Sequence, residues 1–139
     1  MLQADRIVTT TCPYCGVGCQ LDMHVKDGVI YRSDGRFDND VNRGKLCVKG
    51  RFGYDFVHAP DRLRVPLWRD KRDQPFQEVD WDTVLDQVAQ RLVQTRDTYG
   101  PQSIAVLTSA KCTNEENYLL QKFARAVIGT NHVDHCARL

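Results

Sequence analysis

The stretch Cys12-Pro13-Tyr14-Cys15-Gly16-Val17-Gly18-Cys19 puts three thiols into one turn-rich loop, and a fourth, Cys47, follows in Gly44-Lys45-Leu46-Cys47-Val48-Lys49-Gly50. Whether the four can meet depends on the residues around them. Arg6 to Thr11 is rich in β-branched residues and predicts a short strand that delivers the loop. Beyond it, Leu21, Met23 and Val25 alternate with Asp22, His24 and Lys26. Asp27-Gly28 then supplies a turn suited to positive φ, and Val29-Ile30-Tyr31 continues apolar, which is the signature of a hairpin. Ser33 to Gly44 is polar and reads as a surface loop that returns the chain to Cys47.

The resulting pattern, C-x2-C-x3-C-x27-C, has two chemical readings. Four thiolates can hold one structural zinc ion tetrahedrally, or an iron–sulfur cluster with one sulfur per iron. Zinc ribbons usually take two ligands from each of two C-x2-C turns. Here three come from one loop and one from afar, a spacing that favours a cluster whose irons occupy a larger volume. Gly16 and Gly18 would let backbone amides approach inorganic sulfide.

Composition bounds the rest. The chain has 139 residues, 42% hydrophobic and 27% charged, with 19 basic against 18 acidic side chains. That balance excludes a disordered like-charged tail and lacks the basic surplus of a nucleic-acid binder, and the length allows at most one ordinary domain. The first residues show neither a basic segment followed by an apolar one nor a twin-arginine pair, which predicts a cytoplasmic chain. No apolar run approaches the ~20 residues of a membrane span. In a reducing compartment, cysteine spacing reads as ligand geometry before it reads as disulfides.

Gly50 to His58 predicts a short helix, and Pro60 to Pro75 a connector. Asp80 is a good N-cap for a helix carrying Val84, Leu85, Val88, Ala89, Leu92 and Val93 up to Tyr99-Gly100-Pro101. Ser103 to Leu107 predicts a strand. Thr113 or Asn114 then caps a second helix with Leu119, Leu120, Phe123, Ala124, Val127 and Ile128, followed by an extended piece around Val133. Both apolar stripes read as core faces. The fold class is α+β: a small β-rich module over 1–58, then over 59–139 the opening of an incomplete α/β unit with a parallel sheet.

The two cysteine segments together closely resemble the amino-terminal 4Fe-4S module of the molybdopterin-dependent oxidoreductases. Within that family, Phe56-Val57-His58-Ala59-Pro60-Asp61-Arg62-Leu63, Lys111-Cys112-Thr113-Asn114-Glu115-Glu116-Asn117-Tyr118 and Asp134-His135-Cys136-Ala137-Arg138-Leu139 are similar to the catalytic subunit of formate dehydrogenase. The resemblance covers essentially the whole chain. It implies that Cys12, Cys15, Cys19 and Cys47 are the cluster ligands, and that Lys49 lies on the electron path between cluster and pterin. It also implies that Lys111, Asn114 and Asn117 approach a molybdenum or tungsten bis-molybdopterin guanine dinucleotide. Lys111-Cys112 stands where the family commonly carries arginine and glycine.

The resemblance further implies oxidation of formate to CO2, with the cluster relaying electrons to a redox subunit: a ferredoxin-like protein, a flavoprotein or a hydrogenase. The family's cysteine or selenocysteine metal ligand falls just after Leu139, so no catalytic residue is expected within the chain and the 139 residues alone are expected to be inactive. A selenocysteine codon at position 140 is one reading of that coincidence. The alternative function is a stand-alone 4Fe-4S electron carrier or a zinc-binding structural module. Cys112 and Cys136 read as small hydrophobes. His58, His132 and His135 read as capping or solvated residues, and Arg62, Arg64 and Arg69 as a solvated face.

Overall fold

The computed structural model describes residues 3–136, so Ala137-Arg138-Leu139 of the family-like segment lie outside the described residues. Three antiparallel strands open the chain: β1 (Arg6–Thr11), β2 (Gln20–Lys26) and β3 (Val29–Gly35), in the order β1-β2-β3. Asp27 and Gly28 both take positive φ, 49° and 78°, as a two-residue turn matched to strand twist requires. The β2–β3 register shifts between His24 and Val25. The extra residue, Tyr31, accepts a hydrogen bond from the Tyr54 hydroxyl at 2.8 Å. Because β3 runs on to Gly35, the polar return loop starts later than Ser33. Ser33 is buried, its hydroxyl donating to the Gly50 carbonyl at 2.8 Å.

That bond packs helix α1 (Val48–Phe52) on the sheet, with Leu21 and Cys12 buried beneath it. The helix expected over Gly50 to His58 is two pieces, α1 and a 3-10 turn over Asp55–His58. Gly53 separates them, packed so tightly that an added β-carbon would stand 2.6 Å from both the Lys49 carbonyl and the Tyr14 hydroxyl. His58 does not cap a carbonyl: its Nε2 accepts the Ile30 amide at 2.9 Å, tying the 3-10 turn to β3.

The connector carries its own small hairpin, β4 (Leu67–Trp68) paired with β5 (Gln77–Glu78). Its arginines stack on rings as well as meeting solvent: Arg62 lies 5.0 Å from the Phe56 centroid and Arg69 4.4 Å from that of Phe76. Helix α2 (Trp81–Tyr99) starts at Asp80, whose carboxylate accepts the Thr83 amide, and stops at Gly100 with φ 83°. A 3-10 turn at Pro101–Ser103 displaces the expected strand toward the C-terminus, to β6 (Val106–Ser109). Helix α3 (Asn114–Lys122) follows, held by a capping box between Thr113 and Glu116, and passes into a π-helical turn over Phe123–Ile128. Finally β7 (Val133–Cys136) pairs parallel to β6, completing a strand–helix–strand unit.

The helical stripes are not core faces over most of their length. Only Ala124 and Ile128 of the second stripe are buried, while Leu85 is 56% exposed, Leu119 60% and Val127 57%. Two parallel strands are too narrow to cover helices on both faces.

Candidate metal centre

Cys12, Cys15, Cys19 and Cys47 line one cavity of about 360 Å³, walled further by Val17, Val41 and Leu46. Each thiol reaches it by a different device. Cys12 follows β1 directly and is buried, and its amide donates to the Cys19 carbonyl at 2.8 Å, closing the loop that carries Cys15. Cys19 leads directly into β2. Cys47 is the N-cap residue of α1, and its carbonyl accepts the Arg51 amide at 3.0 Å. Gly50 is buried against the site, where an added β-carbon would be in van der Waals contact with the Cys12 sulfur at 3.6 Å.

Asn42 holds the distant ligand segment in place, a role hidden in a loop that reads simply as polar. It is buried in that loop, its Oδ1 accepting the Gln20 amide at 3.0 Å and its Nδ2 donating to the carbonyls of Gln20 and Lys45. Gln20 follows Cys19 and Lys45 precedes Cys47 by two, so one side chain binds both ligand segments.

The electrostatics differ among the thiols. Burial pushes the Cys19 thiol up, and the neighbouring sulfurs of Cys12, Cys15 and Cys47 push the same way. The Gly50 amide holds the Cys47 thiol down, helped by the Lys49 amide and the Lys49 charge. Four thiolates around one cavity repel each other, and a polycationic centre relieves that repulsion.

A single zinc ion would need its sulfurs about 2.3 Å from one point. Four thiols lining one cavity supply one sulfur per iron for a four-iron cluster. All six cysteines are free of disulfide bonds.

The chain matches the molybdopterin oxidoreductase Fe4S4 domain over residues 5–59 and the molybdopterin oxidoreductase domain over residues 62–139. The chain belongs to the molybdopterin oxidoreductase family. Its cofactors are therefore a 4Fe-4S cluster and a molybdenum or tungsten molybdopterin. It is 48% identical over 134 residues to the F420-dependent formate dehydrogenase 2 subunit alpha of Methanococcus maripaludis, covering 96% of this chain and 19% of that one. It is 46% identical over 134 residues to the F420-dependent formate dehydrogenase subunit alpha of Methanocaldococcus jannaschii, again covering 96% and 19%. The chain thus spans about a fifth of the length of these relatives. Acetylene hydratase from Pelobacter acetylenicus shares the fold, with a TM-score of 0.70 over 91% of this chain and 18% of that one at 22% identity.

The other sequence-predicted positions are dispersed. Lys49 is exposed, its Nζ 5.6 Å from the Tyr14 ring centroid, and lines a second cavity of about 440 Å³. Gly50 lines both cavities, so Lys49 stands beside the wall between them. Lys111 is exposed on the turn before α3. Asn114 is turned to the cysteine loop, its Nδ2 donating to the Gly16 carbonyl at 2.7 Å. Asn117 donates to the carbonyls of Ser109 and Thr113, while its buried Oδ1 has no hydrogen-bond partner among the described residues. With Gln121, Asp134 and His135 it lines a cavity of about 310 Å³ beside the C-terminal end of β6 and along β7. Among the described residues no helix is long and apolar enough to cross a membrane.

Proposed function

We propose that these 139 residues are the amino-terminal part of a formate dehydrogenase catalytic subunit, converting formate to CO2, one proton and two electrons. The observation that carries the reading is the joining of all four spaced cysteines around one cavity, in a chain whose relatives are named formate dehydrogenase subunits. Cys12, Cys15, Cys19 and Cys47 hold the cluster, over a 1–58 module that precedes the 59–139 part of the molybdopterin domain. When bound, the cluster supplies one-electron transfer and the pterin-held metal supplies the two-electron chemistry.

The chain's own residues shape that path. Lys49 puts a cation beside the wall between the two cavities, where it offsets negative charge near the cluster ligands. Asn117 holds a buried, unpaired acceptor beside the C-terminal end of β6, and ligands of open α/β sheets bind beyond the carboxyl ends of strands. Lys111 adds a cation on the neighbouring turn. The electrons pass to a separate redox subunit, and the free thiols suit a reducing, cytoplasmic setting.

The test is dye reduction by the native enzyme that contains this chain. Formate-dependent reduction is the expected result, with none from the 139 residues alone. A native enzyme inert to formate but active on another substrate overturns the assignment.

A further inference from the structure

We propose that Asn114 is a positioning residue for the cysteine loop, tying the Cys15–Cys19 segment to the start of α3 and so linking the four-thiol cavity to the second half of the chain. Its effect on a bound cluster rests on the reading above; the tie itself is a contact within the protein.

Asn114 Nδ2 donates to the Gly16 carbonyl at 2.7 Å across 98 positions of sequence. Asn114 is the first residue of α3, where the Thr113–Glu116 capping box fixes the backbone from which its side chain projects. Gly16 is shaped to receive it: a β-carbon there would stand 2.7 Å from Asn114 Oδ1 and 3.5 Å from its Cγ. The two glycines of the loop therefore have different causes. Gly18 has φ 77° and nothing within 4 Å of an added β-carbon, so backbone conformation requires it. Gly16 is not among the residues with positive φ, and a β-carbon there would push the Asn114 side chain away from its carbonyl.

In a trans peptide the N–H points opposite the carbonyl. Holding the Gly16 carbonyl on Asn114 therefore also fixes the direction of the Val17 amide, and Val17 lines the four-thiol cavity. Hydrogen bonding around cluster sulfurs tunes such centres.

A double-mutant cycle on the full 139-residue chain tests the tie, with Gly16→Ala, Asn114→Ala and both together. One readout is the thermal midpoint without iron. The other, after anaerobic reconstitution with iron and sulfide, is the rate at which a chelator bleaches the cluster. Gly16→Ala is expected to speed bleaching about three- to tenfold in the native background and to have little effect in the Asn114→Ala background. The thermal midpoints should show the same non-additivity. Asn114→Asp, equal in shape but setting a carboxylate oxygen against the Gly16 carbonyl in place of the donor, should loosen the loop at least as much as Asn114→Ala, and Glu115→Gln should behave like the unsubstituted chain. The EPR g values of the reduced cluster should shift in Asn114→Ala and stay fixed in Glu115→Gln, which alters the neighbouring side chain and leaves the Asn114 donor in place. Equal effects of Gly16→Ala in both backgrounds overturn the proposal. An unsubstituted chain that takes up no four-iron cluster overturns the cluster reading instead, and the thermal midpoints still decide the tie.

Discussion

Asn42 shows how one side chain can organise a site it does not line with a ligand atom. Its amide satisfies three backbone groups, on either side of the gap between the Cys19 and Cys47 segments, from a buried position. Removing it leaves those groups unpaired. Asn42→Ala is therefore expected to lower stability by about 2–3 kcal/mol in chemical denaturation and to slow cluster uptake. A loss under about 0.5 kcal/mol would contradict the staple. The four cysteines were legible in the sequence because ligand spacing is a local code. Asn42 was not, because an asparagine in a polar loop reads the same whether it faces water or three carbonyl and amide groups. Asn114 read as a pterin contact, and its hydrogen bond to Gly16 was not legible, because Gly16 lies 98 positions away and no periodicity connects the two.

At the scale of elements, local signals carried the reading wherever they were self-sufficient. The Asp27-Gly28 hairpin turn, the Asp80 cap and the Thr113 cap all stand where residue chemistry puts them. Elements that depend on tertiary partners moved. The strand expected at Ser103 begins at Val106 because Pro101 initiates a 3-10 turn closed by Ser103 on the Gly100 carbonyl. The Asp80 cap also gives α2 a pH dependence. The Thr83 amide and hydroxyl hold the Asp80 carboxyl below the usual carboxylate range. A carboxyl depressed in the folded state stabilises it above the unfolded pKa, and that contribution disappears as pH falls through the folded value. The thermal midpoint should accordingly fall on acidification below about pH 4. Asp80→Asn, which still caps but cannot titrate, should flatten that part of the profile. An unchanged profile would remove Asp80 from the account.

Among the described residues of the molecule, burial gathers in two small cores. Leu21, Cys12 and Ser33 close the first beneath α1, and Ala124, Ile128 and Thr130 form the second. Between and around them the helices keep aliphatic residues open to solvent. The apolar stripes gave the helices from sequence, and within these 139 residues most of each stripe is uncovered, since periodicity records which face is apolar and not how much sheet stands against it. Leu21→Ala is expected to cost about 3 kcal/mol, whereas Leu85→Gln should change stability by about 0.5 kcal/mol or less. Equal losses at the two positions would mean that α2 is packed as a core helix.

Four thiols acting together on one cluster are the centre of the molecule's chemistry. The decisive measurement is iron and sulfide content with EPR of the dithionite-reduced chain after anaerobic reconstitution. About four irons and four sulfides per chain with a single reduced-cluster signal is the expected result, lost on Cys12→Ser, Cys15→Ser, Cys19→Ser or Cys47→Ser and retained on Cys112→Ser or Cys136→Ser. About two irons per chain, or a centre filled by zinc alone, would contradict it.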